Sequence, residues 1–186
     1  MPVQLPITTY GMDILRKKTK QITKTDNSLI ELVDNMFYTL DNANGVGLAA
    51  PQVNFNLELA VVDVSQVEEY KHIKPVILIN PEILDSHGEA LLEEGCLSIP
   101  EVRAQVPRAD KIYIKFLDLN LDEIKMEAEG FFARVIQHEI DHLNGILFVD
   151  RIPKEELNKF KAQLKKIQKR KVETDYPLYD PKAINL

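Results

Sequence analysis

The chain has 186 residues, of which 45% are hydrophobic and 28% charged, an ordinary composition for a single globular domain. It contains no apolar run near the about 20 residues that span a bilayer, and its first residues lack the basic and apolar regions of a signal peptide. Its single cysteine, Cys96, excludes an internal disulfide and indicates a reducing compartment. We therefore expect a cytoplasmic protein with neither a membrane nor a DNA partner.

The first half of the chain predicts one long helix followed by strands. Residues 27–42 carry apolar side chains at spacings of three and four, and Thr25 or Asp26 can cap the helix start. Residues 57–64 and 75–79 are apolar and β-branched, which favours strands.

The second half predicts a hairpin and two more helices. Residues 111–117 alternate between apolar and polar, and a turn leads to a partner strand at residues 125–129. Gly130 begins the next helix and Gly145 follows its end. The last helix, at residues 154–171, carries eight Lys or Arg and two Glu around a narrow apolar stripe of Leu157, Phe160, Leu164 and Ile167.

These elements predict an α+β fold in which mostly antiparallel sheets pack around a central metal-binding helix. We expect residues 1–171 to form one domain that includes the basic C-terminal helix, and residues 172–186 to form an irregular tail. The rest of the chain is acidic, since the net charge is −6. The basic helix therefore indicates an anionic partner, although a solvated helix docked through its stripe is equally compatible with the pattern.

The central helix carries the pattern that predicts chemistry. His138 and His142 are four residues apart, so they lie on one face of the helix and can bind one metal ion. Glu139 lies beside that face, where a carboxylate can act as general base on water. The alternative is a helix that carries two histidines by chance, but these are two of only four in the chain.

The best third ligand is Cys96, in the segment Glu94-Gly95-Cys96-Leu97-Ser98. A thiolate beside a divalent cation stays deprotonated. His72 and His87 lie in polar surroundings that indicate solvated side chains. A Cys-His-His donor set is compatible with iron(II), zinc, nickel or cobalt.

A third segment, Gly45-Val46-Gly47-Leu48-Ala49-Ala50-Pro51-Gln52, is rich in small residues that allow a ligand or another element to approach the backbone. Alone, it also fits a tight junction between a helix and a strand. Together with the cysteine segment and Gln137-His138-Glu139-Ile140-Asp141-His142-Leu143-Asn144-Gly145, in this order, it resembles the three signature motifs of peptide deformylases.

The resemblance implies a metal-dependent amide hydrolase that removes the formyl group from the N-terminal formylmethionine of newly made proteins and releases formate. It implies that Cys96, His138 and His142 bind the ion, which in the family is Fe²⁺ in the cell. It assigns Glu139 as the catalytic carboxylate, with Gln52 and the Leu97 N–H holding the formyl oxygen. It also implies that the basic C-terminal helix contacts the ribosome, as relatives use such a helix.

Several residues are candidates for binding the peptide. Val46 and Gly47 belong to the small-residue segment, and Phe131 and Val135 lie one or two turns before His138, although both could be ordinary core. Arg134 could steer a peptide carbonyl, but it could equally pair with Glu94 or Glu129. Asp141 could orient a ligand or pair with Arg103 or Arg108.

Two other functions compete. A conventional zinc endopeptidase would take a third ligand downstream of the helix, and Glu155 and Glu156 are the acids available there. A non-catalytic, metal-stabilised binding module would not need Glu139 for turnover. Neither alternative explains Gln52 and Cys96 jointly.

Overall fold

A computed structural model describes residues 1–182, and within them the chain forms three α-helices and seven strands. The helices are α1 (Asn27–Asn42), α2 (Gly130–Leu143) and α3 (Lys154–Gln168). The strands are β1 (Gly47–Ala49), β2 (Leu59–Val62), β3 (Val76–His87), β4 (Ala90–Cys96), β5 (Ile99–Arg108), β6 (Lys111–Leu117) and β7 (Glu123–Glu129).

All strand pairs are antiparallel. Five strands form one sheet in the order β1-β2-β3-β6-β7, and β4 pairs with β5 in a separate hairpin. The predicted α+β class is confirmed. None of the helices in residues 1–182 is long and apolar enough to cross a membrane.

Helix α1 has the predicted bounds, and its cap is Asp26, whose carboxylate accepts a hydrogen bond from the Leu29 N–H at 3.1 Å. Its apolar positions are buried in a cluster with β2, because they recur on one face of the helix. This cluster also receives the N-terminal segment, in which Ile7 is fully buried.

Helix α2 follows β7 directly and packs its apolar face on the five-stranded sheet. Gly130, the first residue of the helix, and Gly145, two residues beyond its end, have φ angles of +59° and +73°, which glycine adopts without strain. A Cβ on Gly145 would lie 2.7 Å from the Arg16 backbone, so the glycine also permits close packing at the helix end. The opposite face of α2 contacts β4 and carries the polar residues of the site.

The structure differs from the prediction mainly around β4 and β5. Strand β3 extends to His87, well beyond the predicted end at residue 79, and the β4–β5 hairpin was not predicted as strands. Strand β4 does not alternate, because Leu91 and Leu92 are both exposed, and β5 contains two prolines. Three other elements differ slightly from the prediction. Strand β2 and helix α3 are shorter than the predicted ranges 57–64 and 154–171, and β7 begins two residues before the predicted start at residue 125.

Helix α3 packs on the hairpin through the predicted stripe. Leu164 and Ile167 are buried, and Leu157 and Phe160 pack on the same cluster. Residues 172–182 contain a single β-bridge, from Leu178 to Ile7, and otherwise neither helix nor strand. Residues 183–186 of the predicted tail lie outside the described part of the chain.

Candidate metal and catalytic site

The three predicted ligands meet where the end of β4 faces α2. Possible ligand atoms of Cys96, His138 and His142 all lie within 4.8 Å of one another, and the Cys96 Sγ is 3.2 Å from the His142 Nε2. Bonds of about 2.0–2.3 Å to a tetrahedral ion would put neighbouring donor atoms about 3.5 Å apart, so this group fits a metal ion. In the described part of the chain, neither Glu155 nor Glu156 joins the group.

The two imidazoles differ: burial alone would lower the pKa of His138, but hydrogen bonds with Cys96 and Glu94 outweigh it and raise that pKa to about 10. The Nδ1 of His138 lies 3.0 Å from a carboxylate oxygen of Glu94, which leaves the other ring nitrogen available to an ion. Burial lowers the pKa of His142 well below its usual value, so this ring is neutral. Glu94 and Cys96 both reach α2 from β4, because Glu94 contacts His138 and Cys96 contacts His142.

Glu94 is the centre of a buried charge network. Arg108 donates to its two carboxylate oxygens at 2.5 and 2.9 Å, and Arg134 donates to it at 2.6 Å. Arg108 also donates to Asp141 at 2.8 Å, and the half-exposed Arg151 pairs with Asp141 as well. Burial alone would raise the pKa of Glu94, but hydrogen bonds from His138 and Arg108 outweigh it and lower that pKa to about 2.

This network decides between the alternatives left open by the sequence. Arg134 pairs with Glu94, and its guanidinium also donates to the carbonyls of Val106 and Ala90. Its role in binding a peptide remains a prediction. Asp141 pairs with Arg108 and not with Arg103, which is exposed.

Glu139 is 2% exposed and faces Gly47 across the site. A Cβ on Gly47 would lie 2.4 Å from the Glu139 Oε1, so only glycine leaves space for the carboxylate there. The other oxygen of Glu139 is buried and has no hydrogen-bond partner among the described residues. Burial raises the pKa of Glu139 to about 7, so this carboxyl can both accept and return a proton near neutral pH.

Gln52 is held beside the predicted ligands. Its side-chain oxygen accepts the Ala49 N–H at 2.8 Å, which directs the amide nitrogen toward Ser98 Oγ at 3.3 Å and Cys96 Sγ at 3.5 Å. Leu97 follows Cys96 directly, and its carbonyl accepts the Tyr176 hydroxyl at 2.8 Å. The buried amide of Gln52 is therefore a donor fixed within reach of the site.

These groups open on a cavity of about 770 Å³. The predicted site residues that line it are Val46, Gly47, Gln52, Cys96, Leu97, Phe131, Arg134, Val135, His138 and Glu139. His142 lies behind them and is 1% exposed. The structure thus brings every predicted site residue together around one cavity.

Sequence reasoning missed the contact of Glu94 with His138, as well as Ser98 and Tyr176. Glu94 could have been found from its position in the cysteine segment, two residues before the ligand. Tyr176 is distant in sequence from all three motifs, and its approach to Leu97 depends on tertiary structure.

A Cys-His-His donor group with a buried carboxylate beside it defines a metal-dependent hydrolase site. The comparisons with known proteins are specific. The family model for polypeptide deformylase matches residues 4–158, so the chain belongs to that family. It is accordingly a metalloenzyme that hydrolyses an amide, removing the formyl group from the N-terminal formylmethionine of newly synthesised proteins.

Relatives and solved structures agree over nearly the whole chain. A peptide deformylase of Chlorobium phaeovibrioides (strain DSM 265 / 1930) is 46% identical over 94% of this chain and 92% of its own length. The crystal structure of a peptide deformylase from Legionella pneumophila is 38% identical, with a TM-score of 0.82 over 91% of this chain and 98% of that one. A plant peptide deformylase is 34% identical, with a TM-score of 0.85 over 92% of each chain.

Proposed function

We propose that Cys96, His138 and His142 bind the ion of this deformylase, and that Glu139, Gln52 and the Leu97 N–H carry out the reaction beside it. The observation that carries this proposal is the buried carboxylate of Glu139, adjacent in sequence to His138 and lining the same cavity as Cys96. A divalent ion held there would supply a Lewis acid for water and for the formyl oxygen.

Glu139 accepts a proton from the attacking water, whose oxygen bonds to the formyl carbon. The Gln52 amide and the Leu97 N–H donate hydrogen bonds to the former carbonyl oxygen as it gains negative charge. Glu139 then gives its proton to the amine nitrogen while the carbon–nitrogen bond breaks. The proton left on the new carboxylic acid passes to the released amine, so the products are formate and a peptide with a free, protonated N-terminus.

The cavity supports an apolar first residue. Val135 is buried on the turn of α2 before Glu139, and Phe131 packs against Tyr70 with ring centroids 6.0 Å apart. Together with Val46 and Gly47 they form an apolar part of the cavity lining that suits a methionine side chain. A peptide deformylase of Acinetobacter baumannii, 41% identical, has been solved with Met-Ala-Ser bound, which supports a peptide of this kind as the product here.

We propose Fe²⁺ as the ion in the cell, with zinc, nickel or cobalt able to occupy the same donors. The thiolate and two imidazoles suit all four, so donor chemistry does not select among them. Protein purified without oxygen and analysed for metal would test this. Iron with turnover above that of the zinc form is expected, whereas zinc as the bound and more active ion would contradict it.

We also propose cytoplasmic action on nascent chains, with α3 as a ribosome contact and residues 1–171 as one domain. The Lys and Arg side chains of residues 154–171 are exposed, while the apolar stripe docks on the hairpin, so the basic charge is available to phosphate. Replacing Lys159, Lys161, Lys165 and Lys166 by Gln should weaken salt-dependent binding to ribosomes. Unchanged binding would contradict the contact.

The experiment that tests the chemistry is formate release from formyl-Met-Ala-Ser by protein loaded anaerobically with Fe²⁺. Glu139→Gln should lose on the order of a hundredfold to ten-thousandfold in kcat and still bind metal. Glu31→Gln, an exposed acid on α1, is the matched control and should behave as the parent. Turnover by Glu139→Gln within tenfold of the parent would contradict its role as the base.

A further inference from the structure

The C-terminal segment (residues 172–179) returns to the mouth of the cavity after α3. Its residues Glu173, Thr174, Asp175 and Tyr176 line the same cavity as Gln52 and Glu139. These four residues lie beyond residues 4–158, the part of the chain matched by the family model.

Backbone hydrogen bonds hold this segment against the N-terminal part of the chain. The Ile7 N–H donates to the Pro177 carbonyl at 2.8 Å, and the Tyr179 N–H donates to the Ile7 carbonyl at 2.8 Å. Leu178 and Tyr176 pack on the hydrophobic cluster that contains α1. Since Ile7 is fully buried, the segment is attached to a fixed part of the fold.

Tyr176 joins the C-terminal segment to the catalytic part of the cavity. Its hydroxyl donates to the carbonyl of Leu97 at 2.8 Å, and the Thr174 hydroxyl donates to the Tyr176 carbonyl at 2.6 Å. Burial raises the pKa of Tyr176, so the hydroxyl remains a donor across the neutral range. The C-terminal segment is therefore fixed next to Leu97, which directly follows Cys96.

The C-terminal segment is acidic on the side that faces solvent. Glu173 and Asp175 are exposed, and neither forms an ion pair among residues 1–182. Across the cavity Glu101 is exposed too, and Arg103 lies 3.6 Å from Glu93. The same cavity contains the carboxylate of Glu139, which is 2% exposed and whose Oε2 has no hydrogen-bond partner among residues 1–182. A buried polar atom without a partner indicates a site that receives a ligand, and the acidic rim surrounds that site.

We propose that the C-terminal segment is a specificity wall of the cavity, in which Tyr176 is a positioning residue and Glu173 and Asp175 favour substrates with cationic side chains after the formylated residue. This inference rests on the deformylation chemistry proposed above. Formylmethionine occupies the metal end of the cavity, so the residues after it extend toward the rim. Exposed charges attract the opposite charge most strongly at low ionic strength.

The test is kcat/KM for formyl-Met-Lys-Lys and formyl-Met-Glu-Glu, each relative to formyl-Met-Ala-Ser, with the metal-loaded full chain. At low salt the parent should prefer the Lys peptide about tenfold, mostly through KM, and the preference should shrink at high salt. The double variant Glu173→Gln/Asp175→Asn should reduce the preference at least threefold. The control Glu31→Gln/Glu68→Gln, with both acids exposed outside the cavity, should keep it.

Tyr176→Phe keeps the ring but removes the bond to Leu97, so it should also reduce the preference while the protein stays folded. Three outcomes would each overturn the inference. The double variant could keep the full preference, the parent could cleave all three peptides at equal rates, or the preference could be insensitive to salt. In all those cases formate is still released. No formate from any peptide would instead overturn the proposed chemistry and this inference with it.

Discussion

Replacing Glu94 by Gln tests whether the buried charge network supports both the fold and the metal site. The substitution keeps the size of the side chain and removes its charge. Glu94 accepts hydrogen bonds from Arg108 and Arg134, and its second oxygen contacts His138. A glutamine amide can accept on one side only, because its nitrogen is itself a donor.

The expected cost follows from the hydrogen bonds that the substitution removes. If the amide oxygen faces Arg134 and the first nitrogen of Arg108, the amide NH₂ faces the second Arg108 nitrogen and His138. Two charge-assisted hydrogen bonds then disappear, each worth about 1.5–3 kcal/mol. We expect the free energy of unfolding to fall by about 3–5 kcal/mol, the usual cost of breaking a buried ion pair. Metal affinity should fall by about 10–100-fold, because His138 loses its orienting partner.

The assay is urea unfolding of the metal-free protein, followed by competition with a chelator to measure the affinity for zinc. Glu93→Gln is the matched control, since Glu93 is the adjacent residue and its exposed carboxylate lies 3.6 Å from Arg103. Its free energy of unfolding should change by less than about 1 kcal/mol. The reasoning would be refuted if Glu94→Gln, like the control, lowered the free energy of unfolding by less than about 1 kcal/mol and left the metal affinity unchanged.

The pKa of Glu94 is lowered from 4.5 to about 2, so its ionised carboxylate stabilises the fold fully above about pH 4.5 and no longer does so once the pH falls through about 2. The unfolding free energies of the metal-free parent and of Glu94→Gln should therefore converge as the pH falls across that window. Cys96→Ser should remove bound metal, measured by elemental analysis, whereas the endopeptidase hypothesis requires that it stay. Gly47→Ala places a Cβ 2.4 Å from Glu139, so formate release should fall at least tenfold with metal retained. Ile167→Ala should cost about 2–4 kcal/mol in urea unfolding, since Ile167 is fully buried on α3.

Periodicity predicted the elements in which one face is buried. Helix α1 and strand β6 have the predicted bounds because their buried and exposed positions alternate at the helical or strand period. Strand β4 is different, since Leu91 and Leu92 are exposed and the strand presents Glu94 and Cys96 to the site. Strand β5 does alternate, at Val102, Ala104 and Val106, and this pattern could have been recognised despite its prolines.

The sequence predicted the residues of the site that lie in short motifs. The spacing of His138 and His142 fixes a shared helix face. Cys96 was the best third ligand on its chemistry and on the polar surroundings of the other two histidines, and the resemblance to a known family then supported it. The contact of Tyr176 with Leu97 joins residues 79 positions apart. Arg108, 33 positions from Asp141, was only one of two partners that the sequence offered for that carboxylate. Such pairs leave no periodic signal, because tertiary packing alone brings them together.

The buried charges explain why a cation belongs beside Glu139. Glu94 and Asp141 are balanced by Arg108 and Arg134, since these two acids and two bases are all nearly fully buried and sum to zero. Burial raises the pKa of Glu139 to about 7, because it outweighs the attraction of the carboxylate to the cationic His138 and Arg108. A divalent ion with one thiolate and two neutral imidazoles carries a formal +1. That formal charge of +1 would balance the charge of −1 on an ionised Glu139. The ion with its donors and the carboxylate would then be neutral together, as the buried network around Glu94 already is.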